Sequence, residues 1–170
     1  FSQFSINSHA NAVHNPVARL GKPLTEKGYL NAPMICPPIS LMDSSSVGDG
    51  AAAVVIVPAE QLKRYPQQKV VKVLGSGAAT DTIAIHGRKQ PLWLTAAEKS
   101  ALKAYGQAGI TPADIDLFEL HDAFTIMAAL SLEACGFAQP GQGPRLALDG
   151  EIAIGGRIPV CTRGGLKARG

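Results

Sequence analysis

The sequence predicts an α/β domain built from stacked layers, and three observations predict it. Residues 51–57 (AAAVVIV) are a continuous run of small and β-branched residues closed by Pro58, which is typical of a strand buried on both faces. Residues 69–77 (KVVKVLGSG) predict a second strand that ends in glycines. Capped helical segments follow these runs, and this alternation indicates a sheet covered by helices.

The first part of the chain lacks that alternation. Residues 1–15 are weakly helical, and Pro16 ends the pattern. Thr25 opens a short helix, and residues 31–50, rich in Pro, Ser and Gly, predict a loop with one short strand. Residues 59–65 predict one or two helical turns. We therefore expect the first 50 residues to form either a different module or a segment that extends away from the layered domain.

Helix boundaries are well marked after residue 90. Thr95 and Glu98 have the spacing of a capping box, in which the Thr hydroxyl accepts from the Glu98 amide and the Glu side chain returns to the cap amide. This helix is predicted to run to about Ala108 and to stop at Gly109. Residues 111–114 (TPAD) repeat the cap chemistry for a short helix.

A strand, a turn and a helix are predicted next. Residues 115–120 (IDLFEL) form the strand and residues 123–135 the helix, which Gly136 stops. Residues 137–150 predict a Gly- and Pro-rich loop. Residues 151–156 predict a short strand or turn, and the rest of the chain a glycine-rich loop.

Composition excludes several classes of protein. The 170 residues are 46% hydrophobic and 17% charged, which indicates a globular chain. The net charge of +3 is too small to predict a nucleic-acid binder, which needs a concentrated basic face. No apolar run reaches the roughly 18 residues that a membrane span needs. Three cysteines without close pairing favour a reducing compartment, so we expect a cytoplasmic protein without a disulfide framework.

His121 is the sharpest candidate residue. It stands where the predicted strand 115–120 gives way to a helix, and in open α/β sheets ligands gather at the carboxyl ends of strands. An imidazole there can donate to a carbonyl oxygen that gains negative charge. The alternative interpretation is a helix-capping pair, with Asp122 as the cap and His121 as a packed neighbour.

Two glycine-containing loops are further candidates. Ser45 lies in a Ser run before the first predicted strand, where hydroxyls and amides can bind an amide-bearing ligand or simply form a turn. Gly164 and Gly165 precede Lys167 and Arg169. Glycines permit close approach of a ligand and cations suit phosphates, but no phosphate-loop motif is present, and a solvated basic face is the commoner explanation.

Neither a nucleophilic cysteine nor a metal site is predicted. Cys135 lies at the end of a helix, the wrong pole for a thiolate, and Cys36 lies in a proline-flanked loop. Cys161, near the glycine loop, is the best of the three and still a weak candidate. His9 and His14 are five residues apart, not the three or four that a zinc pair prefers, and no third ligand is evident.

Five strings follow one another over nearly the whole chain: DGAAAVVIV (49–57), KVLGSGAATDTIAIHGR (72–88), HDAF (121–124), GEIAIGGRIPV (150–160) and GGLKARG (164–170). Together, and in this order, they resemble the thiolase superfamily. The nearest branch is that of the archaeal-type and sterol-carrier-protein-type thiolases, which have His-Asp-(Ala/Cys)-Phe where other thiolases have Asn-Glu-Ala-Phe. The segment 7–16 (NSHANAVHNP) is also similar to that branch.

The resemblance implies a fold, an activity and site residues. The fold would be the five-layered α/β/α/β/α arrangement of two similar halves, only partly covered by this chain. The activity would be that of an acyl-CoA C-acyltransferase, which forms or cleaves a carbon–carbon bond next to a coenzyme A thioester, its substrate rather than a bound cofactor. His121 matches the residue that helps build the oxyanion hole for the enolate. Ser45 lies near the pantetheine-contacting loop, and Gly164 and Gly165 match the glycine pair before a Gly-His-Pro turn.

The chain also departs from the family pattern. Phe1 is not an initiator Met, the half with the nucleophilic Cys would precede it, and the catalytic His-Pro would follow Gly170. Cys161 stands where Asn is common, and Arg163 where Ser or Asn is usual. We therefore expect residues 1–68 to be the end of the N-terminal half and residues 69–170 a truncated C-terminal half, with no turnover by this chain alone.

Two alternatives stay open at this point. One is a thiolase-like retro-aldolase acting on steroid side-chain CoA thioesters, with a partner that combines a zinc ribbon and an oligosaccharide-binding fold. The other is a non-catalytic scaffold subunit with the same fold. The resemblance also implies a homodimer or homotetramer that binds acyl-CoA and no nucleic acid.

Overall fold

The computed structural model describes residues 1–66 and 68–170, which form helices joined by long irregular segments. The two short strands pair as an antiparallel hairpin. In these residues the α-helices are α1 (Ser2–Ala12), α2 (Glu26–Leu30), α3 (Thr95–Ala108), α4 (Thr125–Ala134) and α5 (Gly143–Leu148); the strands are β1 (Met34–Cys36) and β2 (Ile39–Ser40); the 3-10 helices are Leu41–Asp43, Ala59–Arg64, Ile85–Gly87 and Pro112–Asp114; and Gly165–Arg169 is a π-helix.

Helix α4 forms the centre of the hydrophobic core. Its sequence is apolar nearly all round, as expected of a helix that is buried on several sides. It packs against α1, α3 and α5, and Leu132 is completely buried. Ile152 and Ile158 from the following segment complete the core at 1% exposure each, and the rings of Phe118 and Phe137 meet at 4.9 Å.

Helix α1 buries polar side chains rather than an apolar stripe. Asn7 and Asn11 are four residues apart and therefore lie on one side of α1, and Asn15 follows shortly after the end of the helix. Each side-chain amide donates to the backbone of the segment before the π-helix: Asn7 and Asn11 to the Val160 carbonyl at 3.1 and 3.0 Å, and Asn15 to the Arg163 carbonyl at 2.9 Å. Helix α1 thus fixes the backbone that leads into the glycine pair.

The predicted helices are confirmed where a local stop or cap defines them. Thr25 caps α2, its hydroxyl accepting from the Gly28 amide at 3.1 Å. Helix α3 stops at Gly109, which has φ 69°, and Gly136 follows the end of α4 with φ 87°. Both glycines adopt the left-handed conformation that disfavours other residues.

The two predicted capping boxes differ in outcome. Thr111 and Asp114 form theirs, with the Asp114 carboxylate accepting from both the amide and the hydroxyl of Thr111 at 2.8 Å. The box at Thr95 is wrong, because α3 begins one residue earlier, with Leu94 at the cap position and no side-chain cap. The Glu98 carboxylate instead accepts a hydrogen bond from Trp93 Nε1 at 2.9 Å, so the indole competes with the cap amide for this carboxylate.

The long strands predicted over 51–57 and 69–77 are wrong for this structure. Both segments are irregular, and Val54 and Val71 are 83% and 90% exposed. A strand is stabilised by a hydrogen-bonded neighbour, and none of the described residues pairs with either segment. The strand predicted over 115–120 is reduced to one parallel bridge between Phe118 and Val160.

Helix α5 and the π-helix were not predicted, and neither were the 3-10 helices Leu41–Asp43 and Ile85–Gly87. Helix α5 lies inside the predicted loop 137–150, and the π-helix lies inside the predicted terminal glycine loop. Pro144 suits the first turn of a helix, where a missing N–H costs nothing, so the proline at this position marked a start rather than a loop. Residues 151–156 are turns, as one of the two predictions allowed. The division of the chain at residue 68 stays a prediction.

Across residues 1–66 and 68–170, every helix is too short or too polar to cross a lipid bilayer.

Candidate functional site

His121 and Asp122 are adjacent in sequence but occupy opposite environments. The Asp122 carboxylate is 2% exposed and accepts from the Leu166 amide at 2.6 Å and the Ser8 hydroxyl at 3.1 Å. The His121 ring is exposed. The capping interpretation is wrong, because α4 has Phe124 at its cap position and no side-chain cap. Asp122 therefore anchors the loop, and His121 is presented to solvent.

The structure brings the predicted Ser45 loop against the His121 loop. The Ser45 amide donates to the Ala123 carbonyl at 2.8 Å, and Ser44 and Phe124 form an antiparallel bridge. The backbone of Ser45 is thus used in fixing the two loops, and its partly exposed hydroxyl is the group left for other contacts.

Gly164 and Gly165 complete the contact between the predicted segments. Both have positive φ, at 103° and 55°, which side chains rarely adopt. An added Cβ at Gly165 would lie 2.6 Å from Asp122 Oδ1, and one at Gly164 would lie 2.7 Å from the Ala12 Cβ. The glycines therefore permit the π-helix to approach α1 and the anchor carboxylate closely.

A second buried carboxylate, Asp43, lies beneath these loops and was not predicted. It accepts from the Ser40 amide and hydroxyl at 2.9 and 2.8 Å, from the Thr125 hydroxyl at 2.8 Å, and from the Tyr29 hydroxyl. Burial alone would raise the pKa of Asp43, but the hydrogen bonds from Tyr29, Ser40 and Thr125 outweigh it and lower this pKa. Burial and the Asp43 carboxylate raise the pKa of Tyr29 to about 12.

Lys167 is buried, so the expected solvated basic face is wrong for this residue and holds only for the exposed Arg169. The Lys167 side chain is 2% exposed, and its Nζ donates to the Asp43 carbonyl at 2.6 Å. Burial lowers the pKa of Lys167 to about 8, against the opposing attraction of Asp122, Asp43 and Cys161. No local pattern distinguishes a buried lysine after a glycine pair from an exposed one.

The lowered pKa of Lys167 predicts that stability rises with pH. A depressed pKa contributes stability that is complete above the unfolded value of 10.5 and is lost as pH falls through the folded value of about 8. The free energy of unfolding of the wild type, relative to Lys167→Met, is expected to rise by about 1 kcal/mol between pH 7 and pH 9. Urea denaturation at the two pH values measures it, and a parallel response of both proteins would contradict it.

All three cysteines are free thiols, and two of them are buried. Burial raises the pKa of Cys135 to about 11. Burial, then the charge of Asp122, raises the pKa of Cys161 still further, so both keep their protons near neutral pH. Cys161 also has φ 51°, a conformation that Asn tolerates better than Cys does. The geometry offers no activated thiolate at these two positions.

Thiol accessibility gives a direct test of this arrangement. A disulfide reagent such as DTNB is expected to label only Cys36 in the native chain at neutral pH, because Cys36 is the exposed cysteine. Denaturant should then release Cys135 and Cys161. Mass spectrometry of the labelled peptides identifies the sites, and rapid native labelling at Cys161 would overturn the buried placement.

The most voluminous groove described lies away from these loops. It measures about 840 Å³ and is mainly apolar, with Trp93, Ile126, Leu130 and Pro144 among its lining residues. His121, Ser45, Gly164 and Gly165 line none of the three described cavities. Over residues 1–66 and 68–170, no three His, Cys, Asp or Glu side chains lie together as metal ligands would.

Comparison with known proteins identifies relatives of this chain. Residues 77–170 match the family described as thiolase C-terminal domain-like. Acetyl-CoA acetyltransferase of Methanothermobacter thermautotrophicus is 41% identical over 166 residues, which cover 98% of this chain and 43% of that protein. The 17-hydroxy-3-oxo-4-pregnene-20-carboxyl-CoA lyase of Mycobacterium tuberculosis is 32% identical, over 97% of this chain and 44% of that protein.

A solved structure shows the same fold. The Ltp2-ChsH2(DUF35) aldolase superposes with a TM-score of 0.88 at 27% identity, over 98% of this chain and 45% of that one. The chain thus spans less than half the length of these relatives. The helices and the small hairpin described above are part of a layered α/β fold, in agreement with the predicted fold class.

Proposed function

The chain belongs to the thiolase C-terminal domain-like family, and we propose that it forms part of an acyl-CoA C-acyltransferase. The enzyme would form or cleave a carbon–carbon bond next to a coenzyme A thioester. Relatives that are named acetyl-CoA acetyltransferases and match nearly the whole chain support this assignment. The nucleophile and the base would be supplied outside residues 1–170, so we propose that this chain alone is inactive.

The observation that carries the proposal is the meeting of three segments far apart in sequence. The Ser45 amide binds the Ala123 carbonyl, and the Leu166 amide binds Asp122. The loop with His121 is therefore held from two sides, while its imidazole stays exposed. This arrangement suits a group that must meet a ligand from outside the chain.

In the proposed reaction His121 donates a hydrogen bond to the thioester oxygen as an enolate develops there. A positioned donor of this kind is worth about 3 kcal/mol of the reaction barrier. The Ser45 hydroxyl would contact the amide-bearing pantetheine arm, and the backbone at Gly164 and Gly165 would let the thioester approach closely. In this scheme Asp43 and Asp122 do not contact the ligand, because both carboxylates are hydrogen-bonded within the chain.

The assignment is tested in an enzyme of the relatives' full length in which this chain supplies its matching part. His121→Ala is expected to lower kcat for acetoacetyl-CoA cleavage about 100-fold or more and to change KM little. His86→Ala is the matched control, since His86 is also exposed and lies outside the three segments. Equal activity of both variants would refute the role of His121. Release of coenzyme A by the 170-residue chain alone would refute its proposed inactivity.

A second candidate is a thiolase-like retro-aldolase acting on a CoA thioester with a steroid side chain. The similarity to a mycobacterial pregnene-carboxyl-CoA lyase and to the aldolase structure favours it. Such an enzyme would need a DUF35-type partner and no nucleophilic cysteine. A steroid side-chain CoA thioester cleaved only in the presence of such a partner would favour the lyase, and acetoacetyl-CoA cleavage without a partner would favour the acyltransferase.

A further inference from the structure

Lys167 connects the three segments that carry the candidate site residues. Its Nζ reaches the Asp43 carbonyl, two residues before Ser45. Its neighbour Leu166 donates its amide to Asp122, the residue after His121. Gly165, which opens the same π-helix, lies so close to Asp122 that an added Cβ would be 2.6 Å from Asp122 Oδ1. One short helical turn therefore contacts the backbone before Ser45 and the anchor of the His121 loop.

Two buried carboxylates lie in the same cluster as Lys167. Asp43 and Asp122 are 4% and 2% exposed and lie near Lys167, which is 2% exposed. Asp43 is fully engaged by Tyr29, Ser40 and Thr125, whereas Asp122 receives the Leu166 amide and the Ser8 hydroxyl. Replacing Lys167 with an apolar residue removes the donor to the Asp43 carbonyl and leaves that buried acceptor without its side-chain partner, which is unfavourable.

We propose that Lys167 is a positioning residue, which holds the Ser45 loop and the His121 loop at a fixed separation from the glycine pair. It acts through the Asp43 carbonyl and through its neighbour Leu166, which binds Asp122, and it touches no ligand. The consequence for ligand binding rests on the proposed function, whereas the consequence for the loops rests on the hydrogen bonds alone.

Amide hydrogen exchange of the 170-residue chain tests the effect on the loops. In Lys167→Met, protection of the Ser45 and Leu166 amides is expected to fall roughly tenfold or more, while protection of Ala128 and Leu132 in α4 changes little. Lys103→Met, which removes an exposed lysine on α3, is the control and should change none of these amides. A uniform loss at all four amides would indicate a merely structural role, and unchanged protection would remove any role; either result overturns the proposal.

Titration with coenzyme A separates this proposal from the proposed function. Lys167→Met is expected to weaken binding at least roughly fivefold relative to the Lys103→Met control, through the displaced loops. If the wild-type chain binds no coenzyme A, the proposed function fails for this chain, and the exchange experiment still decides the role of Lys167. If Lys167→Met does not fold, Lys167→Leu removes the same donor with a shorter apolar side chain and is measured in the same way; selective loss at Ser45 and Leu166 supports the proposal, and uniform or no loss overturns it.

Discussion

Gly165→Ala is expected to lower the free energy of unfolding by about 3 kcal/mol. Part of the loss is conformational, because Gly165 has φ 55°, where a Cβ clashes with its own backbone. The rest is steric, because the new methyl group would lie 2.6 Å from Asp122 Oδ1 and 2.7 Å from Asp122 Cγ. Asp122 is held by the Leu166 amide and Ser8, so the carboxylate can move only by breaking those hydrogen bonds.

The matched control for this substitution is Gly150→Ala. Gly150 has φ 76°, so it carries the same conformational cost, but a Cβ there meets no atom within 4 Å. We expect a loss of about 1 kcal/mol for this variant. Urea denaturation of both variants gives the two losses, and the difference between them isolates the steric contact with Asp122. Equal losses would show that the π-helix does not press against the Asp122 carboxylate as described.

The helices could be predicted because their ends are encoded by neighbouring residues. Thr25 caps α2, and Gly109 terminates α3 within its own local sequence. The box at Thr95 failed because Trp93, two residues before it, donates to the same Glu98 carboxylate. A local pattern predicts a local structure unless another nearby donor competes for the same group.

The long strands could not be predicted in this way, because pairing depends on residues distant in sequence. The apolar run 51–57 has strong β propensity, yet Val55 is 87% exposed and the described chain provides it with no ladder partner. Propensity in a sheet mainly reflects packing against neighbours. The same sequence therefore predicts a buried strand correctly only where such neighbours are present.

The sequence indicated the segments that carry the candidate site residues, but it did not indicate the buried Asp43 and Lys167 that support them. The strings that contain His121 and Gly165 resemble the thiolase family, Ser45 lies shortly before another such string, and the three segments contact one another in the structure. Asp43 and Lys167 are 124 residues apart in sequence, and no local sequence pattern predicts that either side chain is buried. The spacing of Asn7 and Asn11 in α1 gives no such signal either, because polar side chains at helical spacing usually mark a solvent-exposed face.

Asp43→Ala is expected to cost about 3 kcal/mol of stability. The carboxylate accepts from the amide and hydroxyl of Ser40 and from the hydroxyls of Tyr29 and Thr125, and it is 4% exposed. Its removal leaves these donors buried without an acceptor, and each unsatisfied group pays its desolvation cost. The end of the Leu41–Asp43 helix and the start of α4 lose their only side-chain link among the described hydrogen bonds.

Asp114→Ala is the matched control, because Asp114 makes the same capping-box contacts to Thr111 but lies at the surface. Water replaces its hydrogen bonds, so only a small fraction of the loss is expected. The lowered pKa of Asp43 adds a pH test: its contribution is present above the unfolded value of 3.8 and is lost as pH falls through the lower folded value. The stability difference between wild type and Asp43→Ala should therefore persist at neutral pH and shrink below about pH 4. Equal losses for the two aspartates at pH 7 would mean that Asp43 is hydrated and that the buried cluster with Lys167 does not form.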